Sequence, residues 1–289
     1  MAGNPFDLGD DEAYRRWRDR KLAGAPSSVS DLIVEVRDPR ALTEAERGAL
    51  MVRIERCNMA IYAGSMRDED TDIPRRLGGQ FGLLRLDANW LAGEDGISEI
   101  RVFDDGTQKR YIPYTDRPIK WHTDGYYNPP DWQIRGMVLH CVRPAASGGE
   151  NRLMDHEMAY LLLREQGAEH IRALMQPDAM LIPERVDEKD GVRAAQGGPV
   201  FSLDSGGHLH MRYTARTRSI AWRQDAVTQA ASAALDRLLN LPSPHVFQAQ
   251  LEAGMGLLCN NVLHDRAAFS DDPARPRLLY RARYLDRIT

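Results

Sequence analysis

His122 and Asp124 stand one residue apart in KWHTDGYYNPP, residues 120–130, with Trp121, Tyr126 and Tyr127 around them. Imidazole nitrogen and carboxylate oxygen are donors that hold a divalent ion such as iron or zinc. On an extended chain, side chains two residues apart share a face, so the pair would aim at one point from roughly 6–7 Å of backbone. Two donors are too few, and the third must come from elsewhere. Of the eight histidines, His140 lies inside an apolar run, His156 begins a helical pattern and His170 follows one. His208 and His210 share a face without a carboxylate at matching spacing, and His245 sits between prolines and a strand-like run. For these, hydrogen-bonded or surface roles suffice. His264 differs: it ends GLLCNNVLH, where an apolar run turns polar, and an arginine-rich stretch follows it.

Two histidines and a carboxylate on one face of an octahedron leave three positions open, the arrangement of non-haem Fe(II) oxygenases. An open site invites a chelating cosubstrate. If that molecule is 2-oxoglutarate, its far carboxylate needs a fixed cation. Arg277, 13 residues after His264, offers a planar guanidinium that can make two parallel hydrogen bonds. Arg281 falls on the same strand face, roughly 13 Å further along, so the face can carry one arginine for the cosubstrate and one for the substrate. Tyr126 and Tyr127 are candidates to line the pocket, although one of two consecutive strand residues must face away. Arg212, Arg216 and Arg218 in RYTARTRSIAW could form another anion site, but a solvated loop is the simpler reading.

The elements that must position these residues are short. Strand-like runs recur at 98–104, 110–114, 134–142, 208–213, 245–251, 255–264 and 277–285. Helical spacing runs from a Thr43/Glu46 capping box through Leu50, Ile54, Cys57 and Ile61 to Gly64. It recurs at about 155–175 and again from an Asp225 N-cap to Pro242. Helices precede and interrupt the strands without alternating with them, which argues for an antiparallel β core with flanking helices, most simply a jelly roll. Residues 1–30 read as a charged arm with a loop at 23–31. Residues 31–289 read as one domain, with an insertion at about 150–245.

With 289 residues, the chain can bury a core without staples. Its 38 basic and 42 acidic residues give a net charge of −4 and no electrostatic case for nucleic acid. Cys57, Cys141 and Cys259 form no CxxC pair, so the expectation is a reducing, cytoplasmic setting without disulfides. No run approaches the roughly 18 apolar residues of a membrane span. Self-association is open, with no interface legible.

HTD at 122–124, GGEN at 148–151, NNVLHDRAAF at 260–269 and RLLYR at 277–281 together resemble the Fe(II)/2-oxoglutarate-dependent dioxygenases of the taurine dioxygenase, γ-butyrobetaine hydroxylase and clavaminate synthase type. The matching order covers about residues 110–289, and the 139 residues between Asp124 and His264 suit a branch with a long helical insertion in its double-stranded β-helix core. The resemblance implies that His122, Asp124 and His264 bind Fe(II), that Arg277 holds 2-oxoglutarate and that Arg281 faces the substrate's charged group. Asn151 stands where related enzymes often carry a cosubstrate-binding threonine. Asp124 itself, where halogenating relatives have a small residue, favours oxygen insertion. The activity so implied is hydroxylation of a small polar, anionic metabolite with O2, releasing succinate and CO2. The residues alone also allow a zinc hydrolase or lyase with the same ligands, or a non-catalytic metabolite sensor.

Overall fold

A computed structural model describes residues 3–87, 91–187, 191–216 and 220–289. The strands that build the site are β1 (Ile33–Glu35), β2 (Met59–Ala63), β3 (Ser98–Ile100), β4 (Ile119–His122), β5 (Gly136–Arg143), β6 (Asn151–Met154), β7 (Phe247–Ala249), β8 (Met255–Cys259), β9 (Leu263–Arg266) and β10 (Leu278–Tyr284). They form a six-stranded sheet, in the order β1-β2-β8-β5-β10-β3, and a four-stranded sheet, β7-β6-β9-β4. Only β1 and β2 pair in parallel within these two sheets.

Period-two alternation explains the layers. On β2, β5 and β8 the residues Met59, Ile61, Met137, Cys141, Leu257 and Cys259 point to one side, where they pack with Leu153 and Phe247 of the smaller sheet. Ala60, Tyr62, Val138 and Leu258 point to the other side, against α2 (Glu44–Cys57) and α3 (Asp72–Gly79). The outer side of the smaller sheet is covered by α4 (His156–Gln166), α5 (Ala168–Leu174) and α6 (Ala226–Asn240), with Met154, Leu263 and Trp121 in that contact. The result is a sandwich of two sheets between two helical layers.

The N-terminal α1 (Asp11–Ala23) docks on the second helical layer. Lys21, only 7% exposed, reaches Asp155 at 2.5 Å and Glu157 at 2.6 Å, and Tyr14 donates to Glu165 at 2.7 Å. Besides helices, the segment between β6 and β7 contains short antiparallel pairings, such as Arg185–Asp187 with Gly191–Arg193. Among the described residues no helix is long and apolar enough to cross a membrane.

Several elements differ from the sequence reading. The helix from the Thr43 cap stops at Asn58, whose left-handed φ of 60° ends the ladder, and Ile61 belongs to β2. The run at 110–114 forms short 3-10 turns around Pro113, which supplies no ladder donor. Residues 155–175 break at Gly167 into two helices. Most consequentially, 255–264 is two strands in different sheets, separated by a corner in which Asn261 has φ 50°.

Candidate functional site

The register of β9 against β4 sets His264 directly opposite His122. Directly opposed antiparallel residues face the same way, and the two rings lie 4.2 Å apart between centroids. Each ring's Nδ1 sits 2.9 Å from a carbonyl two residues back, Lys120 O for His122 and Val262 O for His264. A carbonyl only accepts, so Nδ1 carries the proton and Nε2 of both rings presents a lone pair. Asp124 lies beyond the end of β4 in a turn that Gly125, φ +69°, makes possible. Its Oδ1 is 3.6 Å from His122 Nε2, and one ligand atom from each of the three residues falls within 4.8 Å of the others. A single ion with bonds of about 2.1 Å can gather that set with small side-chain rotations.

Electrostatics favour the metal-binding forms. Burial pushes the Asp124 carboxyl upward, but the Arg281 guanidinium and His122 outweigh it and hold the group well below the usual carboxylate range. Burial, reinforced by neighbouring His122, pushes His264 down to about 4, which keeps its imidazole neutral.

Beside His122 and His264 lies a small cleft. Ile100, Ile119, Met137, Leu139 and Leu279 give it apolar walls, while Asn151, Arg266, Arg277 and Arg281 supply polar groups. Arg277 is 4% exposed, its Nη1 is buried without an acceptor, and no carboxylate pairs with it among the described residues. Burial accordingly pushes its guanidinium below its ordinary value. Its Cζ stands 4.9 Å from the Phe269 ring centroid, with Gly149 alongside. The preceding Gly148, φ +74°, presses so closely on the Ala268 carbonyl that a Cβ would fall 2.3 Å from that oxygen. The Gly-Gly turn is therefore sterically required.

The structure brings His122, Asp124, His264, Arg277 and Asn151 together. Asn151 donates from Nδ2 to the Asp265 carbonyl at 2.6 Å, so one of its two donors is already spent. Arg281 lines the cleft, with part of its guanidinium already engaged. Its Nη1 reaches Asp124 Oδ1 at 3.3 Å and Oδ2 at 3.2 Å. The antiparallel sandwich places the inward face of β10 over the Asp124 carboxylate, and opposite charges meet. Tyr126 does not line the cleft. The turn at Gly125 swings it into the helical layer, where its ring packs edge-on to Tyr127 at 5.2 Å. Arg212 is not solvated: it is 5% exposed and donates to the carbonyls of Tyr126, Gln196, Met180 and Gly198. Arg216 is half-buried, and Arg218 lies outside the described residues.

Two participants escaped the sequence reading. Arg266 donates to the carbonyls of Pro113, Thr115 and Arg117 and forms one wall of the cleft. Asn261 bonds the backbone of Asp124. The abrupt polarity of NN inside an apolar run was the available signal.

The family model described as "Taurine catabolism dioxygenase TauD, TfdA family" matches residues 75–283. A uridine-5'-phosphate dioxygenase from Amycolatopsis sp is 31% identical over 171 residues, covering 57% of this chain and 60% of the relative. One from Streptomyces sp is 34% identical over 177 residues, covering 58% and 62%. The match thus spans about three fifths of those relatives' length. Among solved structures, the non-heme iron oxygenase OrfP in complex with Fe and alpha-ketoglutaric acid superposes with a TM-score of 0.60 at 18% identity, covering 92% of this chain and 89% of that one. An asparagine oxygenase in complex with Fe(II), hydroxyasparagine and succinate gives 0.61 at 13% identity, covering 98% and 86%. At such identities these likenesses concern the fold.

Proposed function

The chain belongs to the taurine catabolism dioxygenase TauD, TfdA family, and from that premise we propose that it is an Fe(II)- and 2-oxoglutarate-dependent oxygenase that hydroxylates a small anionic metabolite. The two facing sheets are then the halves of a double-stranded β-helix, in one domain. The observation that carries this reading is that His122 and His264, two of three converging metal donors, line the same cleft as Arg277, a buried guanidinium with no ion-pair partner among the described residues.

His122 Nε2, His264 Nε2 and the Asp124 carboxylate hold the iron, a donor set of mixed nitrogen and oxygen that suits Fe(II) with open positions. Arg277 takes the far carboxylate of 2-oxoglutarate, and Asn151 retains one amide N–H for the same cosubstrate. When bound, iron and 2-oxoglutarate together supply O2 activation: one oxygen atom enters a substrate C–H bond, the other ends in succinate, and CO2 leaves. This chain's residues do the positioning. The apolar walls exclude water and hold the target carbon, while the polar groups fix the charged ends.

Arg281 keeps a buried Nε–H without an acceptor, a donor available to the substrate's acid group while Nη1 stays on Asp124. A hydrolase or lyase reading would require a free general base. The other carboxylate lining the cleft, Asp265, is committed to Arg152 at 2.8 Å and 2.5 Å. The relatives' names make uridine 5'-phosphate and other nucleoside monophosphates the first substrates to test. Three free, buried cysteines support a reducing, cytoplasmic setting.

Anaerobic addition of Fe(II) and 2-oxoglutarate should produce a weak visible charge-transfer band. Admitting air with a panel of nucleotides, amino acids and sulfonates should release succinate, most rapidly with the true substrate. Absence of both the band and 2-oxoglutarate-dependent succinate would remove the proposal.

A further inference from the structure

We propose that Asn261 is a positioning residue for the metal carboxylate, setting the backbone of Asp124 and with it the direction from which that carboxylate meets the ion. The inference rests on His122, Asp124 and His264 being the ligands. Strand pairing ends just short of Asp124: Thr123 still exchanges bonds with Tyr213, its N–H donating to Tyr213 O at 3.0 Å and its Oγ1 accepting from Tyr213 N at 3.1 Å. One residue later, the Asp124 N–H donates to Asn261 Oδ1 at 2.8 Å, and the Asp124 carbonyl accepts from Asn261 Nδ2 at 2.9 Å.

The second hydrogen of Nδ2 goes to the Ile134 carbonyl at 2.7 Å. On its other side the turn is pressed against the same residue, since a Cβ at Gly125 would fall 2.4 Å from Ile134 Cγ1. The position thus demands one acceptor and two donors from a single planar group, which a primary amide supplies and a carboxylate or hydroxyl does not. Asn261 is 2% exposed and has φ 50°, a conformation that asparagine tolerates better than most residues.

Its place in the chain gives the arrangement its consequence. Asn261 sits at the corner joining β8 to β9, three residues before His264. The amide therefore ties the turn bearing one ligand to the strand bearing another, and Asp124 and His264 move as a unit. Arg281 grips the same carboxylate at its oxygens, so side chain and backbone of Asp124 are fixed by different elements.

Two variants of the full chain test this. Asn261→Gly removes the amide at no cost to the positive φ, and Asn261→Asp keeps the shape and the acceptor while losing both donors. With Mn(II) alone as probe, either variant that folds should bind 10–100-fold more weakly, the range of such outer contacts. The Co(II) absorption spectrum should change with it. His264→Ala is the control. Failure of the wild type to bind Mn(II), or wild-type binding by His264→Ala, would overturn the ligand assignment itself. A folded Asn261→Gly or Asn261→Asp protein with the wild-type Mn(II) affinity and Co(II) spectrum, alongside a deficient His264→Ala, would overturn only the role of Asn261.

Discussion

Replacing Arg277 by methionine separates a binding arginine from a structural one. Methionine keeps an apolar stem beside Phe269, and the hydrogen bond from the residue 277 amide to Asp271 Oδ1, 3.0 Å in the structure, is untouched. A bidentate charge-assisted contact to a carboxylate is worth about 2–3 kcal/mol, so the 2-oxoglutarate dissociation constant should rise roughly 30- to 140-fold at about 1.4 kcal/mol per decade. At a cosubstrate concentration near 100 times the wild-type constant, binding stabilises the wild type by about 2.7 kcal/mol. A variant weakened about 100-fold retains about 0.4 kcal/mol. At roughly 2–4 °C per kcal/mol, thermal unfolding with Mn(II) present should show a 2-oxoglutarate shift of about 5–10 °C for the wild type and about 1–2 °C for the variant. Without cosubstrate the variant should be no less stable, because it discards a buried guanidinium with an unpaired Nη1. An unchanged cosubstrate shift, together with a drop of several degrees in the free protein, would refute the reasoning and make Arg277 part of the scaffold.

His122→Ala and His264→Ala should each abolish iron retention and succinate production; turnover in either removes it from the ligand set. Lys21→Met should cost about 3–5 kcal/mol, because Asp155 and Glu157 lose a buried partner; chemical denaturation reads this, and adding Asp155→Asn should recover part of it. Burial raises the Asp155 carboxyl, but Lys21 and His156 outweigh it and hold the folded value below the ordinary one. Its stabilising contribution is therefore complete above about pH 4 and drains as pH falls through the lower folded value; denaturation midpoints of Asp155→Asn should lack that acid limb. Arg212→Leu strands four backbone carbonyls and should destabilise by several kcal/mol, about 3–5; a midpoint within error of the wild type would contradict its role as a buried tie.

Features governed by short-range chemistry were legible in the sequence. The Thr43/Glu46 capping box and the Asp225 cap are both present, the latter accepting from Val227 and Thr228. These are arrangements of neighbouring residues with intrinsic energies, so no tertiary information is needed. His264, one of the candidate metal donors, stood out for another reason: a polar histidine at the end of an apolar run costs free energy unless it has a task. The corner at Asn260 and Asn261 was not legible. The polar pair marks an interruption, but such a run looks the same whether it stays in one sheet or crosses to the facing one, and the left-handed φ of Asn261 shows the crossing. Tyr126 failed for a related reason, because strand alternation was extended past His122 into a turn.

The arginines show what sequence cannot separate. Arg277, Arg281 and Arg283 have the same side chain and lie along the last strand, at or just before it, with nothing local to rank them. Their partners rank them. Arg283 is paired with Asp87 and accepted by Tyr127 Oη at 2.9 Å, so it is scaffold. Arg281 is paired with Asp124, a residue 157 positions away, so it holds that carboxylate. Arg277 is also buried and makes no ion pair among the described residues. A guanidinium removed from water without a counter-charge costs the folded chain free energy, and a dicarboxylate entering the cleft removes that cost. The missing partner of Arg277, more than its place in a motif, therefore makes it the arginine on which cosubstrate affinity should depend, and Arg281→Lys should change 2-oxoglutarate affinity far less than Arg277→Lys in the same titration.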